Sequence, residues 1–181
     1  MSPSVLHQFL TGAAAGDAIT SQAFLMRDWL RDLGFESHVF AQYVHESVAG
    51  EVKTLADYKQ ARGESWTIYH HSIGSDVPQF LARQSLTLLL IYHNITPEQY
   101  FTQVDPKWST MAREGLRQLQ GLRDQTGMAL ADSKYNELDL SAAGYPATAV
   151  LPITLRKEHF KEPVNPTTAV EIRQAGQNLL F

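Results

Sequence analysis

The chain has no cysteine, which excludes a disulfide scaffold and any thiolate metal site and fits a reducing compartment. It also lacks an excess of positive charge. Lys and Arg number 15 against 19 Asp and Glu, a net charge of -4, so no basic field exists to hold a phosphate backbone and nucleic-acid binding is disfavoured. Long apolar runs are missing as well. The longest, Leu86 to Tyr92, is broken by Thr87 and is far too short to span a bilayer. The N-terminus lacks a charged segment followed by an apolar one. Together these absences describe a soluble, cytoplasmic protein and leave peripheral contact with a membrane open. No internal repeat, low-complexity tract, G-x-G-x-x-G string or H-x-x-x-H spacing occurs.

What is present suits one globular domain with a tail: 181 residues, 44% hydrophobic. Strand and helix signals alternate. Val5 to Phe9 reads as a strand that leads into the small-residue stretch Thr11 to Asp17. A helix follows, with Ile19, Ala23, Met26, Leu30 and Leu33 at helical spacing and Gly34 as its stop. Ser37 to Ala41 reads as the second strand and Trp66 to Tyr69 as the third, with one short helical candidate at Leu55 to Tyr58 between them. Ser75 or Asp76 caps a helix through Phe80 and Leu81. Leu86 to Tyr92 is apolar on nearly every residue, as in a parallel strand covered on both faces.

Thr96-Pro97-Glu98-Gln99 carries a cap, a proline at the first helical position and a glutamine three residues beyond the cap, and so predicts a helix start. A longer helix is expected from Trp108 to Asp124, with Trp108, Met111, Leu119 and Leu122 as its apolar stripe. Met128 to Ala131 reads as the fifth strand. Asn136 with Asp139 opens a short helix that Gly144 ends, and Ala147 to Leu151 reads as the sixth strand. The pattern is that of βαβ units, an α/β Rossmann-like, doubly wound, mainly parallel sheet with helices on both faces. Residues 152 to 167, with Pro152, Pro163 and Pro166, have linker character; Thr168 with Glu171 makes a capping box for a last helix. The apolar run Asn178 to Phe181 then reads as the start of another strand. The expected division is a domain over 1–151, and over 152–181 a linker, a helix and the first strand of a second domain.

In open parallel sheets ligands bind beyond the carboxyl ends of the strands. Reading that edge from the sequence collects Gly12 to Asp17, His70 to Asp76, His93 to Thr96 and Asp132 to Asn136. Each cluster has an ordinary explanation. Neighbouring strand residues point to opposite faces, so His70 and His71 are expected as one buried and one exposed histidine. Asn94 and Thr96 suit capping, and Lys134 a solvated loop. Trp29, Trp66 and Trp108 suit core or sheet-covering positions. The convergence of Asp, three His and Lys on one rim exceeds what capping and solubility require. Two chemistries fit. One is metal-assisted hydrolysis on His70 or His71, His93 and Asp17. The other is group transfer from a phosphate-bearing donor. In it, helix N-termini after Thr96 and after Gly16-Asp17 face the anion, His93 stabilises charge and Asp17 or a rim histidine positions an acceptor hydroxyl.

The strings Gly16-Asp17-Ala18-Ile19, Tyr69-His70-His71-Ser72-Ile73-Gly74-Ser75, Tyr92-His93-Asn94-Ile95-Thr96-Pro97, Asp132-Ser133-Lys134-Tyr135-Asn136 and Asn178-Leu179-Leu180-Phe181 resemble the N-terminal half of bacterial family 4 glycosyltransferases of the GT-B fold. The resemblance covers essentially the whole chain. It implies a retaining transferase that moves a sugar from a nucleotide-sugar donor to a sugar or glycolipid acceptor, between two Rossmann-like domains, with no metal or other cofactor. The N-terminal domain would hold the acceptor. A C-terminal domain beyond this chain would hold most of the donor and a pair of glutamates. His93 would lie near the transferred sugar and Asp17 would be its catalytic companion. Gly16, His70, His71, Ser72, Asn94, Thr96, Lys134 and Asn136 would contact substrate or donor. In the first loop this chain has Ala13-Ala14-Ala15 where many relatives have adjacent glycines. The fragment alone is expected to be inactive. The competing expectation is a stand-alone binding or regulatory module with the same fold.

Overall fold

A computed structural model describes residues 4–154 and 165–175. It contains seven strands: β1 (Gln8–Ala13), β2 (Val39–Val44), β3 (Val52–Thr54), β4 (Trp66–His71), β5 (Thr87–Tyr92), β6 (Thr126–Ala131) and β7 (Thr148–Val150). They form one sheet in the order β3-β2-β1-β4-β5-β6-β7, and every pairing is parallel. All the carboxyl ends therefore lie on one edge, as the βαβ pattern predicts. The helices are α1 (Ala18–Asp32), α2 (Val77–Leu81), α3 (Pro106–Gly121), α4 (Lys134–Ala142) and α5 (Pro166–Gln174).

The period of two along the strands sorts the core into two layers. Leu10, Val39 and Ala41 pack with Ala23 of α1 on one face. Phe9, Tyr69, Leu90, Tyr92 and Ala129 pack on the other with Leu81 of α2, Leu119 of α3 and Leu140 of α4. The covering of both faces explains why β5 reads as one continuous apolar run. Among the described residues no helix is long and apolar enough to cross a membrane.

Capping residues fix where the helices begin. Asp17 accepts from Thr20 N at the start of α1, Asp105 from Lys107 N at α3, and Ser133 from Asn136 N at α4. Gly34 stops α1, with Gly34 N donating to Arg31 O and Phe35 N to Leu30 O. Leu33, placed by its spacing in the apolar stripe, is 74% exposed, because the buried side of α1 runs through Thr20, Ala23 and Arg27.

Several boundaries differ from the sequence reading, each for a physical reason. β1 and β2 run several residues further than predicted. β2 follows β1 in register through Tyr43 and Val44, and in β1 the polar residues are buried with partners: Gln8 Nε2 donates to Ala23 O at 2.9 Å and Thr11 Oγ1 to Ser75 Oγ at 3.0 Å. β4 continues through His70 and His71 for the same reason. β3 has too few residues to give a periodic signal. No α-helix starts after Thr96. A three-residue 3-10 turn over Glu98–Tyr100 forms without a side-chain cap, and Asp105 with Pro106 supplies the real start of the next helix. At α5 the cap is Asn165, which accepts from Thr167 N and Thr168 N, in place of Thr168. The predicted strand Asn178–Phe181 and most of the proline-rich linker lie outside the described residues.

One close approach sets the α3 side of the carboxyl edge. A Cβ on Gly115 would lie 2.7 Å from Gly74 N and 2.8 Å from Ile95 Cδ1, and a Cβ on Gly74 would lie 2.5 Å from Met111 O. The loop after β4 and helix α3 touch through backbone, which only paired glycines allow.

Candidate functional site

At the carboxyl edge the alternation of β4 sends its two terminal histidines to opposite faces, and both are fully buried. The expectation of one exposed ring is thus corrected: helices cover the sheet on both sides here. His71 Nε2 donates to Gly115 O at 2.8 Å, so its Nδ1 accepts from Tyr69 OH at 3.0 Å. Both its nitrogens are spent. Burial lowers its pKa to about 4 and pushes the Tyr69 hydroxyl up to about 12.

His70 faces the α1 side, and its neighbours determine where every proton sits. The Gln8 amide is oriented by its donation to Ala23 O, so Gln8 Oε1 accepts from His70 Nε2 at 3.0 Å. Burial drives the His70 pKa well below 6.5, which makes the ring neutral, so its Nδ1 carries a lone pair. That lone pair accepts from His93 Nε2 at 3.0 Å. Burial also lowers His93 to about 4, against the opposing pull of Asp132 and Asp17. In a neutral ring protonated at Nε2, the Nδ1 atom is an unprotonated acceptor. His93 is 3% exposed, and its Nδ1 has no hydrogen-bond partner among the described residues. It lies 4.0 Å from Asp132 Oδ2. Two acceptors set face to face in a buried place call for a donor to each, such as the two O–H groups of one water. His93 Nδ1 therefore carries a lone pair free to accept a hydrogen bond. The charge-stabilising role predicted for it needs an N–H, and its N–H is committed to His70.

Asn136 is buried and its Nδ2 donates to Asp132 Oδ1. It orients the carboxylate toward His93. Lys134 is exposed and paired with Glu137, while Asn94 and Thr96 are exposed and cap nothing. These three are not gathered into the buried network.

Beside His70 a cavity of about 650 Å³ opens at the ends of β1, β2 and β4. Its walls are largely apolar, with Leu10, Ile19, Tyr43, Val44, Trp108 and Met111; Thr11, Asp17, His45, His70 and Ser72 are its polar members. Asp17 Oδ2 is committed to the α1 cap, 2.7 Å from both Thr20 N and Thr20 Oγ1. Gly16 turns the chain into that cap at φ +81, a conformation an L side chain resists. Ala14 N donates to Thr20 Oγ1 and Ala15 N to Ser47 Oγ. The Ala14 and Ala15 amides are thus spent within the protein.

The hydrolytic metal trio does not assemble. His71 lies on the far face, and both His70 nitrogens are hydrogen-bonded, so neither can give a lone pair to a metal alongside His93. Among the described residues no cluster of three or more His, Asp and Glu suits a metal ion. The sequence reading also missed residues. Gln8 lies inside the predicted strand Val5 to Phe9, where nothing in the sequence marks it as a site residue. Asp132 opens the Asp132 to Asn136 cluster, and its position directly after a strand end is the signal that points to it. Trp108, assigned to core or sheet cover, is 48% exposed and lines the cavity; Trp29 and Trp66 are also partly exposed.

No protein-family model matches this sequence, and no curated protein matches it significantly. Solved structures do. An alpha-glucosyltransferase in complex with UDP-glucose and DNA containing an abasic site is similar with a TM-score of 0.56 at 11% identity, over 86% of this chain and 44% of that one. An alpha-glucosyltransferase in complex with UDP gives 0.55 at 10%, over 83% and 44%. Another, with UDP and a 13-mer DNA containing a HMU base, gives 0.52 at 13%, over 83% and 42%. The chain spans less than half the length of these structures. At such identity the likeness is one of fold: this is a Rossmann-like α/β domain of the GT-B type.

Proposed function

We propose that this chain is the acceptor-side domain, over 1–151, of a retaining glycosyltransferase of the bacterial family 4 kind. It transfers a hexose from a nucleotide sugar, UDP-glucose in the first instance, to a hydroxyl acceptor. The segment 152–181 leads into a second domain that binds most of the donor. The observation that carries the reading is the unspent His93 Nδ1 opposite Asp132, beside a cavity holding Asp17, on the carboxyl edge of a GT-B-type domain. In the reaction the acceptor oxygen bonds to the anomeric carbon as the bond from that carbon to the phosphate oxygen breaks. UDP departs, and the hydroxyl proton goes to the departing phosphate. His93 and Asp132 accept hydrogen bonds from two hydroxyls of the moving sugar; Asp17 orients the acceptor hydroxyl.

The DNA acceptors of the solved neighbours are not carried over, since the net charge is -4 and the cavity lining includes no Lys or Arg. A cytoplasmic site of action and peripheral membrane contact with a glycolipid acceptor belong to the same proposal. The test is release of UDP from UDP-glucose by the product of the complete reading frame, with the anomeric configuration of the product read by proton NMR. Transfer with retention, and none by the 181-residue chain alone, is expected. No release from any nucleotide sugar overturns the enzyme and favours a stand-alone binding module, whereas turnover by the chain alone overturns the division into two domains.

A further inference from the structure

We infer that the cavity beside His70 accepts an uncharged alcohol with an apolar body, and not a phosphorylated compound; calling that alcohol the acceptor rests on the transferase reading. The volume of about 650 Å³ suits a ligand with a sugar-sized head and a short apolar group. Three features oppose an anion. No Lys or Arg is among the lining residues, and Asp17 adds a carboxylate. The positive end of α1 is closed by that same carboxylate, bonded to Thr20 N at 2.7 Å. Three amides of the loop are also spent: Ala14 N goes to Thr20 Oγ1 at 3.2 Å, Ala15 N to Ser47 Oγ at 3.1 Å and Asp17 N to Ala14 O at 3.4 Å.

Two features favour an apolar body. Trp108 and Tyr43 line the cavity yet remain 48% and 61% exposed, leaving large apolar faces uncovered, and Met111 lines the same wall. The hydroxyl end is served by Asp17, which accepts, and by Ser72, which both donates and accepts. The charge of the lining opposes phosphate, and the walls ask for hydrocarbon.

The test is an NMR titration of the full chain that follows the backbone amides of the lining residues Gly12 and Ala13 in every form and the Trp108 indole N–H in the unaltered chain. The probes are n-octyl β-glucoside below its micelle concentration and phenyl β-glucoside, which present an alkyl and an aryl body on the same neutral head. Glucose 6-phosphate and inorganic phosphate are the charged probes. Saturable shifts with at least one glucoside are expected, with affinity at least about tenfold above that for either phosphate compound. Trp108→Ala, at a half-exposed position, is expected to weaken glucoside binding roughly tenfold with an unchanged melting temperature. Phosphate binding as tight as glucoside binding, silence with both glucosides, or an affinity indifferent to Trp108→Ala would overturn the inference. Glucoside binding without UDP release by the complete enzyme refutes the transferase and leaves this inference standing. UDP release with a phosphorylated acceptor preferred refutes this inference alone.

Discussion

Buried histidines occupy both edges of the sheet, and they are not equivalent. At the amino edge His7 packs against His38, Phe40 and Tyr58, and its Nδ1 accepts from His38 N at 3.1 Å. At the carboxyl edge His93 is as buried, and its pKa is lowered to about 4 like that of His7. Burial is the largest cause in both cases, so burial and a depressed pKa do not by themselves mark a site. What separates them is the hydrogen-bond ledger. The His7 acceptor is answered within the protein, whereas His93 Nδ1 has no hydrogen-bond partner among the described residues and faces Asp132.

The largest expected effect erases the distinction. A histidine whose folded-state pKa lies below its unfolded value contributes stability that is present above 6.5 and lost as pH falls toward 4. The unfolded chain takes up the protons first. At pH 5, His7, His71 and His93 are each expected to withdraw about 2 kcal/mol, a large share of a typical domain's stability. Urea unfolding at pH 7.5 and pH 5 checks this, and equal stability at both would show that the rings are not buried neutral.

Activity restores the distinction. In the complete enzyme His93→Ala is expected to cost about 100-fold or more in kcat/KM, whereas His7→Ala should leave kcat/KM within about twofold while lowering the melting temperature. Equal losses would place the two edges on the same footing. On the α3 side, Gly115→Ala drives a Cβ toward Gly74 N and Ile95 and should destabilise the fold by about 1–3 kcal/mol in urea unfolding. The smallest effect separates two roles of one carboxylate. Asp17→Ala removes the α1 cap at a cost of about 1 kcal/mol, while Asp17→Asn keeps a capping oxygen and should hold stability within a few tenths of a kcal/mol. If Asp17 orients an acceptor hydroxyl, both variants lose transfer activity. If it only caps, Asp17→Asn keeps it.

The parallel sheet and its functional edge were legible because β5 is continuously apolar, strand and helix signals alternate, and polar residues follow strand ends. The details that define the site were not. The sequence reading ends the first strand at Phe9, before the polar Thr11, yet Thr11 is buried with a partner in Ser75 and the strand runs on. A cap-and-proline signature at Thr96-Pro97 loses to the stronger Asp105-Pro106 start a few residues on. His70 and His71 look alike in sequence, and only pairing with Gln8 on one face and Gly115 on the other decides that neither is free. The tautomer of His93 follows from a chain of three hydrogen bonds whose first link, Gln8 to Ala23, joins residues from different elements.

That the carboxyl edge keeps an unspent acceptor is tested most directly by the long-range proton–nitrogen NMR spectrum of the His93 ring at pH 7. A neutral ring protonated at Nε2, with an unprotonated Nδ1, is predicted. A ring protonated at Nδ1, or an imidazolium paired with Asp132, would contradict it.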